Sequence, residues 1–232
     1  MGSVHFDREY DGQLEEVRDG LLRMAGEVEQ MIVDSVRSAL TQDRELARET
    51  IERDAIVNRL EVESDEHCLL ILARRQPMAG DLRFVTLALK MVTDLERIGD
   101  LAVNIAERAI DLADHQIQSW PWDKIEGLAR VVRTMIRDAI QAFVDRDAVK
   151  AHEVIARDEQ ADELYWSIFR SALEVMRKMP ESVHDGVHFQ SIAKFLERMG
   201  DHSTNIAEQV VFMVKGKDIR HVKPKKVDRG AV

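Results

Sequence analysis

The chain has 232 residues, a formal charge of −10, 45% apolar residues and only 5% aromatic ones. That charge excludes a nucleic-acid groove, which needs clustered Lys and Arg, and suits cations or basic partner surfaces instead. A single cysteine excludes an internal disulfide or a thiolate-rich metal site and fits a reducing compartment.

Charged residues make up 33% of the chain, and Pro and Gly are few, a composition for long helices with charged surfaces. No sustained alternation and no Asn-Gly or Asp-Gly turn speaks for strands. The N-terminus is polar and acidic rather than an export signal. The longest apolar run falls far short of the ~20 residues that span a bilayer. A cytoplasmic protein without direct membrane insertion is therefore expected.

The first helix is predicted over 7–41. Thr41-Gln42-Asp43 forms a corner, with Asp43 placed to cap a second helix over 44–75. Cys68 lies in an apolar stretch of that helix, where a small buried residue is expected. In the turn from Gln76 to Asp81, Pro77 ends one helix and Asp81 is placed to cap a third over 82–116. Leu87, Met91, Leu95, Ile98, Ala102, Ile105 and Ala109 recur there at helical spacing. Ser119-Trp120-Pro121-Trp122-Asp123 links two halves, and its tryptophans are expected to pack between them. A fourth helix over 123–144, a corner at Asp145-Arg146-Asp147 and a fifth helix over 148–178 follow. A turn at Pro180 then leads to a sixth helix over 186–214. The tail beyond Val214 is basic; such a segment is usually solvated and otherwise touches an acidic partner or lipid headgroups.

The halves are copies. Leu95-Glu96-Arg97-Ile98-Gly99-Asp100-Leu101-Ala102-Val103-Asn104-Ile105-Ala106-Glu107 returns 101 residues later as Leu196-Glu197-Arg198-Met199-Gly200-Asp201-His202-Ser203-Thr204-Asn205-Ile206-Ala207-Glu208, with nine of thirteen positions identical. The stretch 43–54 matches 147–158 at an offset of 104, so the intervening corner is three residues shorter in the second copy. A tandem duplication of a three-helix unit explains this. The expected fold is all-α: two tandem three-helix bundles over 1–118 and 119–215, and a basic tail over 216–232.

The polar positions of the cassette repeat as E-x-x-x-D-x-x-x-N-x-x-E, one stripe along a helix face. Packing alone would repeat the apolar positions and let the polar ones drift, so the stripe reads as a site. A second ladder precedes it: Asp54, Asn58, Glu61 and Asp65, matched in the second copy by Asp158 and Asp162. The two helices should run antiparallel, so the ladders could face one another. Like charges at i and i+4 cost a few tenths of a kcal/mol, and burial costs more. Such a stripe is solvated, matched by Arg97, Arg198, Arg53 and Arg157, or holds cations. Oxygen-only donors favour hard cations such as Fe³⁺, Mn²⁺, Mg²⁺ or Ca²⁺. Gly99 and Gly200, each costing a helix about 1 kcal/mol relative to Ala, suggest a close approach by backbone or ligand. A di-metal carboxylate oxidase needs paired Glu-x-x-His elements, and Glu181-Ser182-Val183-His184 is a single such element in a turn. His67, His115, His152, His188 and His202 share no helical ligand pattern and read as ordinary surface or packing residues.

The motifs Glu96-Arg97-Ile98-Gly99-Asp100 and Glu197-Arg198-Met199-Gly200-Asp201, with 73–83 and the closing Val214-Lys215-Gly216-Lys217-Asp218-Ile219-Arg220-His221, resemble the PhoU family of bacterial phosphate-uptake regulators over nearly the whole chain. The resemblance implies two three-helix bundles and a homodimer. It also implies, as in some members, iron or zinc clusters (or another divalent cation) on E(D)-x-x-x-D motifs. The matching positions are Glu96 with Asp100, Glu197 with Asp201, and Asp158 with Asp162. The fourth motif reads Asp54 with Asn58, an amide in place of a carboxylate. Asn104 and Asn205 complete the donor stripe. The implied role is that of an adaptor between the ATPase subunit of a phosphate ABC importer and a phosphate sensor histidine kinase. Such an adaptor holds the starvation response off when phosphate is ample, has no catalysis of its own, and is recruited by these partners to the inner face of the membrane. The competing reading is a metal-binding or metal-storage bundle, or a carboxylate-bridged metalloenzyme, unrelated to phosphate signalling.

Overall fold

The computed structural model describes residues 3–115, 120–216 and 219. Six long helices carry it: α1 (Ser3–Thr41), α2 (Arg44–Arg75), α3 (Ala79–Leu112), α4 (Trp122–Val144), α5 (Ala148–Lys178) and α6 (Val183–Lys215). Helices α1–α3 pack on one another, as do α4–α6. The bundles then join through α3 against α6 and α1 against α4. These are equivalent helices of the two copies, so the duplicated units meet as two subunits of an isologous dimer would. Helices α2 and α5 are left outside, and α2 buries only Ala47, Thr50, Val57, Ser64, Cys68 and Ile71.

The apolar stripe read on α3 is the core: Leu87, Met91, Leu95, Ile98, Ala102, Ile105 and Ala109 are all buried. Phe84 of α3 stacks on Phe143 of α4 at 4.8 Å between centroids. Both rings are fully buried and hold the two bundles together by area and by ring geometry.

The corners repeat. Gln42 and Arg146 take left-handed φ values of 57° and 53°. Asp43 follows the first and accepts hydrogen bonds from the N–H groups of Glu45 and Leu46. Asp147 follows the second and accepts from Val149 and Lys150. Each aspartate N–H also bonds back to a carbonyl five residues earlier, on Ser38 and Ala142, so the end of one helix is closed as the next is capped.

Four expected boundaries move by three residues or more, the first being the start of α1, at Ser3 rather than residue 7. Asp81 is not the cap of α3; the helix begins at Ala79 after an extended Met78, and Asp81 falls in its first turn, where a carboxylate still favours the helix dipole. The third helix ends at Leu112 because Gln42 Nε2 donates to the carbonyls of Leu112, Ala113 and His115, offering them a partner other than a next helical turn; residue 116 lies outside the described residues. The sixth begins at Val183 because Pro180–Ser182 form a 3₁₀ turn that runs straight into it. That turn stands where Ala79–Asp81 stand in the first copy.

Both linker tryptophans are buried and meet a ring of the second bundle. Trp120 stacks on Phe189 of α6 at 5.1 Å and Trp122 meets the same ring edge-on at 5.0 Å, so both close the end of the second bundle. Cys68 is buried, and burial, with Asp65 nearby, pushes its thiol up to about 12. Apart from Gly216 and Ile219, the basic tail lies outside the described residues. Among the described residues no helix is long and apolar enough to cross a membrane.

Candidate functional site

The first-copy stripe on α3 faces the ladder on α2. At Gly99 an added Cβ would touch Val57 Cγ1 at 3.4 Å, with Asp54 Oδ1 at 3.9 Å. At Gly200 it would touch Ala161 Cβ at 3.8 Å. Val57 and Ala161 are equivalent positions, so both copies bring outer and inner helix together in the same register. These are ordinary van der Waals distances. Packing therefore does not demand glycine at either place, which removes a close backbone approach from the two reasons expected and leaves a ligand.

Burial raises the Glu96 carboxyl above the usual range, and Asp100, Glu61 and Asp54 push it further while Arg97 pulls against them. Burial also raises Glu61, with Asp65, Asp100 and Asp54 adding to it against Arg97. Burial and then Asp100 raise Asp54, opposed by a hydrogen bond from Asn58. Burial raises Asp65. These acids thus share one electrostatic neighbourhood across the α2–α3 seam.

Positive charge there is scarce. Arg97 reaches Glu96 at 3.4 Å and Asp100 at 3.2 Å, but its side chain is 58% exposed, so water screens both pairs. Arg53 and Arg157, expected beside the acids, turn to the first helix of their own bundle instead. Arg53 pairs with Glu27 at 3.6 Å and Arg157 with Asp138 at 2.5 Å.

The second copy has Asp162, Tyr165 and Phe169 where the first has Asn58, Glu61 and Asp65, and it gains two hydrogen-bond donors that the first lacks. Lys194 Nζ donates to Glu197 Oε2 at 2.6 Å; the equivalent residue of α3 is Thr93, whose hydroxyl bonds its own backbone at Leu89. Thr204 Oγ1 donates to Asp158 Oδ1 at 3.3 Å; the equivalent residue is Val103, which has no donor to give. Asp54 Oδ1 is accordingly buried without a hydrogen-bond partner, while Asn58 Nδ2 donates to the other oxygen at 2.8 Å. The amide that replaces a carboxylate thus serves Asp54 directly. Asp158 and Glu197 are buried, Asp162 and Asp201 half-buried. Asn104 is half-buried and Asn205 exposed along the same faces. The last cassette acids diverge, Glu107 lying exposed beside Arg108 and Glu208 buried.

An orphaned buried oxygen among raised carboxylates is what a cation would satisfy, so the first-copy donors fit a hard ion. Among the described residues the ladder acids do not bring three donor oxygens within 4.8 Å of one another. The seam as it stands offers carboxylates in ones and twos, which suits an ion that keeps much of its water, as Mg²⁺ does.

Two bridges between the bundles escaped the sequence. His202 Nδ1 lies 2.9 Å from Asp94 Oδ1, and Gln209 Nε2 donates to Asp94 Oδ2 at 3.3 Å. Glu29 of α1 binds Arg133 at 2.8 Å and also Arg137, both on α4. Asp94 sits two residues before Glu96, on an adjoining face of α3.

The PhoU domain family model matches residues 21–109 and again residues 125–210. The chain belongs to the PhoU family. The two matches fall on the two bundles, so the all-α fold of two PhoU domains read from the duplication holds. A Pseudomonas putida phosphate-specific transport system accessory protein PhoU homolog is 39% identical over 218 residues, covering 94% of this chain and 85% of that protein. The Escherichia coli phosphate-specific transport system accessory protein PhoU is 34% identical over 225 residues, covering 97% and 93%. The crystal structure of PhoU from Pseudomonas aeruginosa superposes with a TM-score of 0.85 at 36% identity, covering 90% of this chain and all of that one. A phosphate transport system regulatory protein PhoU from Streptococcus pneumoniae follows at 0.82 and 26%. These relatives are named as accessory or regulatory proteins, in keeping with a chain read as having no catalysis of its own.

Proposed function

We propose that this chain regulates phosphate uptake and the phosphate-starvation response as an adaptor, docking on the ATPase subunit of a phosphate ABC importer and on a sensor histidine kinase. When phosphate is ample it holds the kinase's response off. It works at the inner face of the membrane, brought there by those partners, and as a homodimer. Family membership supports the phosphate system as its setting. The single observation that carries the site is the α2–α3 seam of the first copy, where Asp54, Glu61, Asp65 and Glu96 are all raised by burial, and all but Asp65 also by neighbouring carboxylates, Asp100 among them. A protein retains such a destabilised cluster where something outside it supplies the missing charge.

That charge comes from metal ions, from a basic partner surface, or from both in turn. Asp54, Glu96 and Asp100, with Glu61, would hold an ion in the first copy; Asp158, Asp162, Glu197 and Asp201 would hold one in the second. A bound ion would neutralise the seam and fix α2 against α3. The chain's own part is to present these oxygens from two rigid antiparallel rods, with the bulk of α2 left exposed for a partner. The first test is deletion of the gene with a phosphate-responsive reporter: constitutive starvation-gene expression is expected, and unchanged repression in high phosphate refutes the regulatory reading. Elemental analysis after gentle purification tests the metal part separately; a metal-free protein that still binds both partners removes it.

A further inference from the structure

Where the first bundle ends against the start of α6, four residues that the regulatory reading does not use come together. His115 follows the end of α3, and its backbone is pinned by Gln42 Nε2 at 2.8 Å. Its Nδ1 lies 2.7 Å from Asp185 Oδ1 on the first turn of α6. His184 Nδ1 lies 3.4 Å from the same oxygen. The two imidazoles stack at 5.4 Å, and His188 stands one turn along α6 with its ring 4.7 Å from that of His184. Donor atoms of His115, His184 and Asp185 all lie within 4.8 Å of one another, the one such trio among the described residues.

We propose that His115, His184 and Asp185, with His188 at the fourth position, form a binding site for a borderline divalent cation of the Zn²⁺, Ni²⁺ or Cu²⁺ class. Imidazole nitrogens with one carboxylate select those ions over the hard cations that suit an all-oxygen seam. Ligands around tetrahedral zinc at about 2.0–2.2 Å stand roughly 3.4 Å apart, so the trio needs only rotamer adjustment to close. His184 is free to make it, with its side chain 66% exposed. Asp185, at 14%, is held by its surroundings and anchors the set. The i, i+4 spacing of His184 and His188 puts both rings on one helix face, as paired zinc histidines require. The nearby cation is already engaged: Arg108 Nε lies 3.1 Å from Asp111 Oδ2, and that oxygen is 3.5 Å from His188 Nδ1.

Such an ion would clip the two PhoU domains together, since His115 belongs to the end of the first and the other ligands open the last helix of the second. The backbone at Gly186, between the ligands, is closely packed: a Cβ there would meet Met176 Sδ at 2.5 Å and the Trp120 ring at 2.8 Å. The site owes nothing to the acidic seam, and its test is arranged to keep the two apart.

Zn²⁺ is titrated calorimetrically into the metal-free full-length protein, into His115→Ala/His184→Ala and into Glu96→Gln/Asp100→Asn. Loss of even an outer-shell partner costs a metal site about 10–100-fold. The double histidine variant should therefore bind about tenfold more weakly or worse, while the seam variant stays within about twofold for this site. Independently, Cu²⁺ bound to the wild-type protein should show imidazole nitrogen couplings by electron paramagnetic resonance, a readout that needs no variant to fold. Equal Zn²⁺ affinity in the wild type and the histidine variant, or a Cu²⁺ spectrum with oxygen ligands alone, overturns the proposal.

Discussion

Glu96→Gln is expected to stabilise the metal-free protein, although it deletes a salt bridge. Glu96 is repelled by Asp100, Glu61 and Asp54 and attracted by Arg97. Each exposed or half-exposed pair of this kind is worth a few tenths of a kcal/mol. Three repulsions against one screened attraction leave about 0.5 kcal/mol in favour of removing the charge, and the burial of a half-exposed carboxylate acts in the same direction. For a chain of this size 1 kcal/mol moves Tm by about 2–4 °C, so the variant should melt about 1–2 °C higher in chelator at neutral pH. The pH dependence follows from the sign of the shift. A carboxyl raised on folding binds its proton more tightly in the native state, so its penalty is full above the folded pKa and fades as pH falls through it. The variant's advantage should therefore shrink on acidification. Saturating Mn²⁺ should reverse the order, raising the wild type above the variant. Calorimetric melting in chelator and in Mn²⁺ checks all three; a variant less stable than wild type in chelator at pH 7 refutes the claim that the seam lacks positive charge.

Glu29→Gln should act in the opposite sense. Burial raises this carboxyl, but hydrogen bonds and charge from Arg133 and Arg137 outweigh it and leave it below the usual range. Its stabilisation is present above the unfolded pKa and lost as pH falls through the folded one. The variant should be about 1 kcal/mol less stable at pH 7 by denaturant unfolding, with the gap closing in acid. The helical glycines should divide: Gly200→Ala, facing only ordinary contacts, should gain up to about 1 kcal/mol, whereas Gly186→Ala should lose about 1–3 kcal/mol from overpacking against Met176 and Trp120. Thermal melts of both variants test this, and equal shifts would contradict the packing described at α6.

The rods and corners were legible because each rests on local chemistry. Asp43 caps where its spacing to the next apolar stripe says it should, and Pro77 and Pro180 stop helices wherever they stand. The duplicated polar stripe pointed to α3 and α6 for the same reason. Partner choice was not legible. Arg53 stands one residue from Asp54, yet on a helix neighbours in sequence point to different faces, and its guanidinium goes to Glu27 on α1. The asymmetry of the two seams rests partly on Asn58, Glu61 and Asp65 against Asp162, Tyr165 and Phe169, and partly on Val103 against Thr204 and Thr93 against Lys194, differences inside or beside a cassette that reads as a repeat. His184 and His188 carried a usable signal in their i, i+4 spacing. What hid it was the Pro180 turn: with the last helix expected to begin at 186, His184 fell outside it. That the tryptophans would meet Phe189 of α6 was not legible either, because a linker position does not say which ring receives an indole.

The most direct test of the acidic seam as the working surface is the reporter strain carrying Glu96→Gln/Asp100→Asn in place of the wild-type chain, at matched protein level and in ample phosphate. Derepression of starvation genes approaching that of the deletion is the expected result. Full repression by the folded double variant would contradict it, leaving the stripe a solvated face.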